Sequence, residues 1–190
     1  MNSTRRLTLI GLLSAIAFVL MVFASFPIIP GVSFLKVDLS FIPVFIGALL
    51  LDLKAGYWII IIRSVLKLLL NNSGVNDYIG LPMNMIAFAV LLTILYFFIK
   101  KETVFTAVVG LVLGTVMLTV MMVLLNYVYA IPLYTKFANF NIQQIFGISK
   151  YLISMVIPFN LVQGVILSGL SYLIFVPMRR FIKHTNPAFS

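Results

Sequence analysis

The amino-acid sequence predicts an all-α polytopic membrane protein: a single domain over residues 1–190, built as a bundle of six transmembrane helices with both termini in the cytoplasm. Three observations carry that expectation. Hydrophobic residues make up 63% of the chain and charged residues 9%, with a mean hydropathy of +1.19, so there is too little polar surface to cover a water-soluble globule. The apolar residues fall into six runs, at about 7–26, 39–51, 55–70, 79–99, 104–129 and 151–176, separated by turn-forming or charged stretches. The basic residues stand at the ends of those runs as topology signals instead of forming a patch, so the net charge of +9 implies lipid neighbours and no nucleic-acid partner. Cysteine is absent, which excludes disulfides, thiolate metal sites and a lipoprotein anchor, and no metal site is expected.

The first segment, Leu7 to Phe26, follows Arg5 and Arg6 in the manner of a signal peptide, but it is long and lacks a small-x-small cleavage site before Pro27, so it reads as a retained helix. Gly11, Ser14 and Ala15 form a small-residue stripe on it, with Gly11 and Ala15 one turn apart. Pro27-Ile28-Ile29-Pro30-Gly31 ends the helix, and Val32 to Ser40 reads as an extended loop whose Phe34 and Leu35 need cover. Leu39 to Leu51 is short for a crossing of roughly 20 residues and contains Pro43, so it is tilted or partly re-entrant.

After the turn at Asp52 to Gly56, the third helix places Arg63 and Lys67 on one face. A charge at mid-bilayer costs about 2.5–3.5 kcal/mol on insertion scales, so Arg63 needs a partner, and Asp38 and Asp52 are the candidate anions. Structural roles are expected of both cations: Lys67 snorkels to the interface and Arg63 ties helix carbonyls together. Asn71 to Asp77 is a polar turn, and the fourth segment opens on Pro82-Met83-Asn84-Met85. The fifth holds Gly110 and Gly114 at the spacing of close helix crossings and ends in Asn126-Tyr127. Thr135 to Ser149 reads as a surface loop.

The last segment is the most informative. Asn160, Gln163 and Gly164 stand at i, i+3 and i+4, so a helix puts both amides on one face beside a point of close backbone approach, and Pro158 can kink the helix and free a carbonyl one turn earlier. These amides either wall a ligand site or join helices, the latter for about 0.6 kcal/mol each. Cation counting sets the orientation. Arg5, Arg6, Lys54, Lys100, Lys101, Arg179, Arg180 and Lys183 fall on one side and Lys36, Lys136 and Lys150 on the other, which places the termini inside. Asn84, Asn126 and Asn160 then lie near the outer ends of their segments, at one depth.

Neither H-E-x-x-H, G-x-S-x-G nor a pair of carboxylates within one segment is present, so no enzyme is expected. G-x-x-x-x-G-K-[ST] is also absent, so any ATP-driven transport must borrow ATPase subunits. What remains is an outward-facing pocket of four amides framed by methionine and aromatic side chains, among them Met83, Tyr127 and Phe159. Amides offer donors and acceptors to a neutral ligand with an alternating polar edge, and the apolar frame suits a flat ring; a flavin has both. A channel or facilitator for a small polar solute is the alternative from a different class.

The chain also resembles a known family over its whole length. Lys36-Val37-Asp38-Leu39-Ser40-Phe41-Ile42-Pro43 followed by Gly47, Met83-Asn84, Asn126-Tyr127 with Pro132-Leu133-Tyr134, and Pro158-Phe159-Asn160 before Gly164 are similar, in order and spacing, to the substrate-binding S components of energy-coupling factor vitamin transporters, the riboflavin-specific ones above all. The resemblance implies a bacterial cytoplasmic-membrane protein that captures riboflavin from outside and docks on a transmembrane coupling subunit with two ATPases. Riboflavin would be its transported ligand, with no resident cofactor. It implies Asn126 and Asn160 as first ligand contacts, Asn84 and Gln163 next, Phe34 and Leu35 as a lid, Met83 and Tyr127 in the frame and Lys150 as a further contact. Gly11 and Ala15 stand where the family presents an alanine-x-x-x-alanine face to the coupling subunit, and Gln163 stands where the family tends to carry lysine. Members for thiamin, biotin and folate share the fold, so the pocket decides the vitamin.

Overall fold

A computed structural model describes residues 3–28, 35–101, 103–138, 142–145 and 147–185, with side chains described as far as residue 182. Phe34 lies outside the described residues. Helix α1 spans Ser3–Phe23 and leads into a short antiparallel hairpin of β1 (Ser25–Pro27) and β2 (Lys36–Asp38), in which Ser25 faces Asp38 and Pro27 faces Lys36. The extended reading of the first loop thus resolves into a hairpin. It also shortens the first helix, because Ser25 to Pro27 take strand pairing instead of continuing to Phe26.

Helices α2 (Phe41–Leu50), α3 (Leu53–Leu70), α4 (Val75–Ile99) and α5 (Val104–Leu125) follow. A π-helical turn at Asn126–Ala130 joins α5 to α6 (Ile131–Phe137), so that helix overruns its expected end. The stretch read as a loop holds α7 (Ile142–Ile145) and the start of α8 (Ile148–Tyr151), and a second π-helical turn at Leu152–Val156 leads into α9 (Ile157–Thr185). Pro177 does not end α9; in an apolar surrounding the helix keeps every remaining backbone bond, and the one lost donor is tolerated.

Among the described residues, four helical stretches are long and apolar enough to cross a membrane: 3–23, 75–99, 104–137 and 148–182. Helix α3 has 18 residues but carries Lys54, Arg63 and Lys67, and α2 has only 10. Glycines set how closely these helices pack. A Cβ on Gly114 would meet Leu91 at 2.9 Å, so the glycine pair of α5 lies against α4, and one on Gly164 would meet the Cα of Thr115 at 3.0 Å, so α9 crosses α5 at Gly164. Helix α2 sits inside the bundle with Phe41, Val44, Phe45 and Ala48 fully buried, and Phe41 meets Phe88 edge-on at 5.0 Å. Side chains such as Leu12, Ile16, Val112, Val120, Val165 and Leu173 point outward, as a lipid-facing surface requires.

Candidate ligand-binding site

Two prolines shape the site. Each π-helical turn ends two residues before one of them, Pro132 and Pro158. A proline has no N–H for the carbonyl four residues earlier and its ring crowds that carbonyl, which favours a local change in the α-helical ladder. Here the chain widens by one residue: the Ile131 N–H bonds to the Asn126 carbonyl and the Ile157 N–H to the Leu152 carbonyl. The expected kink at Pro158 is thus a widened turn, and α5 carries its counterpart. The two turns lie side by side, joined by the Tyr151 hydroxyl, which donates to Asn126 Oδ1 at 3.0 Å.

Between them and α4 lies a cavity of about 130 Å³. Met83 and Asn84 of α4, Met122 and Asn126 of α5 and its π turn, Phe159 and Gln163 of α9, Tyr134 and Tyr151 line it, and Leu35 and Lys36 close it from the hairpin side. A polar cavity of about 350 Å³ adjoins it, sharing Lys36, Gly80, Asn84 and Tyr134 and reaching Asp38, Lys67, Asn71 and Asp77. Taken together, the two fall within the size range of small-molecule sites, about 300–1,000 Å³.

The structure therefore brings Asn84, Asn126, Gln163, Met83 and Leu35 to one wall-to-wall space. Asn160, between the lining residues Phe159 and Gln163, is fully buried and does not itself line the cavity; its Nδ2 donates to the Val156 carbonyl at 2.8 Å, and its Oδ1 has no partner among the described residues. Tyr127, at 59% exposure, and Lys150 point outward and take no part in the cavity. For Tyr127 the cause is local: adjacent helical residues do not share a face, so with Asn126 turned to the cavity its neighbour faces away. Tyr151 was not among the expected contacts; a phenol inside an apolar run two turns before Asn160 is the signal that could have found it.

Of the two candidate anions for Arg63, the structure selects Asp38. Arg63 is fully buried and donates to Asp38 Oδ2 at 3.0 Å, to the Ser40 hydroxyl and to Asn84 Oδ1, with its guanidinium 4.7 Å from the centre of the Phe88 ring. Side-chain oxygens, not helix carbonyls, hold it. Asp52 is not its partner: Asp52 caps α3 through the Ala55 N–H and pairs with Arg6 at 2.7 Å. Lys67 lies in the last turn of α3, and its ammonium reaches the polar turn before α4, where it binds Asp77 at 2.8 Å and the Asn71 carbonyl.

Gly11 and Ala15 are exposed on α1, and a Cβ added at Gly11 would meet nothing within 4 Å, so that face is open to a close neighbour.

Comparison with known proteins gives this geometry a family. A family model described as the ECF transporter, substrate-specific component, matches residues 5–175. The chain is 50% identical over 183 residues to the riboflavin transporter RibU of Streptococcus thermophilus, covering 96% of this chain and 86% of that one. It is 43% identical to the riboflavin transporter RibU of Leuconostoc mesenteroides, over 85% of each chain. Among solved structures it is similar, with a TM-score of 0.76 and 29% identity over 96% of this chain and 99% of the other, to one reported as the S component of a bacterial ECF transporter. With that match along nearly its whole length, the chain belongs to the substrate-specific components of ECF transporters, a family of transport proteins and not of enzymes.

Proposed function

We propose that the chain is the riboflavin-binding component of an ECF transporter, a multi-pass protein of the bacterial cytoplasmic membrane that takes the vitamin from outside and hands it to a coupling subunit driven by two ATPases. The observation that carries this reading is the cavity itself: three amides, Asn84, Asn126 and Gln163, set in a frame of Met83, Met122, Phe159 and two tyrosines. That is the complement of a flat apolar ring with a polar edge. Half of the chain's residues are shared with a protein named a riboflavin transporter, which supports the vitamin's identity. Riboflavin is cargo here, not a resident cofactor.

In this reading α2 and α3 complete six crossings, with the termini inside. The cation asymmetry supports that orientation, and so does the position of the cavity, since the hairpin and the turn before α4 that line it are the segments the asymmetry puts outside. Leu35, which borders the cavity from the hairpin side, is a lid contact. Gly11 and Ala15 form the contact face for the coupling subunit.

Asn160 supplies the test of the pocket. Its buried Oδ1, without a partner among the described residues, is suited to an N–H of the ligand ring. Replacing Asn160 by alanine leaves such a donor unpaired and is expected to weaken riboflavin binding by about 1–3 kcal/mol, while the ligand-free fold holds. Titration of the purified variant in detergent, following flavin fluorescence, reads this out. An affinity equal to the parent's would remove Asn160 from the site.

A further inference from the structure

Arg63 does more in this geometry than neutralise a carboxylate. A guanidinium carries five N–H donors and no acceptor, so the amide it touches must turn its oxygen toward it. Asn84 is that amide: Arg63 donates to its Oδ1, and its Nδ2 donates to nothing among the described residues. Asn84 also lines both adjoining cavities. An asparagine free to rotate could offer a ligand either end; one held by a buried arginine offers hydrogens only. Arg63 is itself fixed, wholly buried, by Asp38, whose Oδ1 also accepts the Ser40 N–H at 2.8 Å.

We propose that Arg63 is a positioning residue for ligand recognition, which locks Asn84 as an obligate donor facing a carbonyl on the polar edge of the ligand ring. This rests on the riboflavin reading above. Arg63 touches no ligand in this arrangement and acts through Asn84, and the Asp38 pair ties the same lock to the base of the hairpin that bears Leu35. The site then reads an acceptor at this point of the ligand and rejects a donor there.

Two variants separate this from a structural role. Asn84→Asp keeps the volume and the acceptor for Arg63 but has no hydrogen to give. Arg63→Gln combined with Asp38→Asn removes both charges together, so neither is left buried alone, and frees Asn84 to rotate. Riboflavin titration and infrared spectra of bound riboflavin carrying carbon-13 at ring position 2 or 4 are measured for each, with thermal unfolding of the ligand-free protein as the fold control. The expected result is about tenfold or greater loss of affinity for Asn84→Asp, together with an upward shift of one ring carbonyl stretch that has lost its donor, at an unfolding midpoint close to the parent's. The double variant, where it folds, shows the same upward shift. Unchanged affinity in Asn84→Asp, or lower affinity with both carbonyl stretches where the parent has them, overturns the proposal while leaving the riboflavin reading intact. A parent protein that binds no riboflavin overturns both.

Discussion

Arg63→Ala is expected to destabilise the ligand-free protein by about 3–5 kcal/mol, the largest stability loss of any single substitution considered for this chain. The guanidinium is fully buried, and removing it strands Asp38, itself only 5% exposed, as an uncompensated charge between β2 and α3. It also takes the partner from Asn84 Oδ1 and the cation from the Phe88 face. For a chain of this length, each kcal/mol moves the midpoint by about 2–4 °C, so a fall of about 10 °C is expected in detergent. Adding Asp38→Asn should recover part of it, because the stranded charge goes. A single variant melting with the parent would mean that Asp38 is hydrated or paired elsewhere.

The second large effect is functional. Leucine at both Gly11 and Ala15 is expected to abolish ATP-driven riboflavin uptake while riboflavin affinity in detergent stays at the parent's value. Both residues are exposed on α1 and neither lines the cavity, so the substitution leaves the core packing alone. What it removes is close backbone approach by a neighbouring helix, which small residues one turn apart permit and leucine blocks. Uptake that continues at the parent's rate would take the coupling contact off this face.

Much of the fold could be read in the sequence because bilayer spans are set by local composition. The runs beginning near Ile79 and Val104 reappear as α4 and α5, and Gly110, Gly114 and Gly164 lie at the helix contacts that small residues permit. Less legible was what depends on a non-local partner. Asp38 and Asp52 were equal candidates for Arg63 by type, and only the hairpin decides for Asp38, while the α3 cap and Arg6 take Asp52. The widened turns before Pro132 and Pro158 were foreseen as one kink, since a proline favours a change in the ladder without saying which. Among the amides, helical spacing put Asn160 and Gln163 on one face, yet only Gln163 lines the cavity, beside Asn84 and Asn126, while Asn160 is fully buried next to it.

The central claim, that this cavity holds riboflavin, is tested most directly by the protein as purified from the membrane in detergent. Its visible absorption and fluorescence are recorded, and small molecules released on denaturation are identified by mass. Co-purified riboflavin, or strong quenching of added riboflavin fluorescence at one equivalent per chain, is expected. A colourless protein that leaves added riboflavin fluorescence unchanged would contradict the claim.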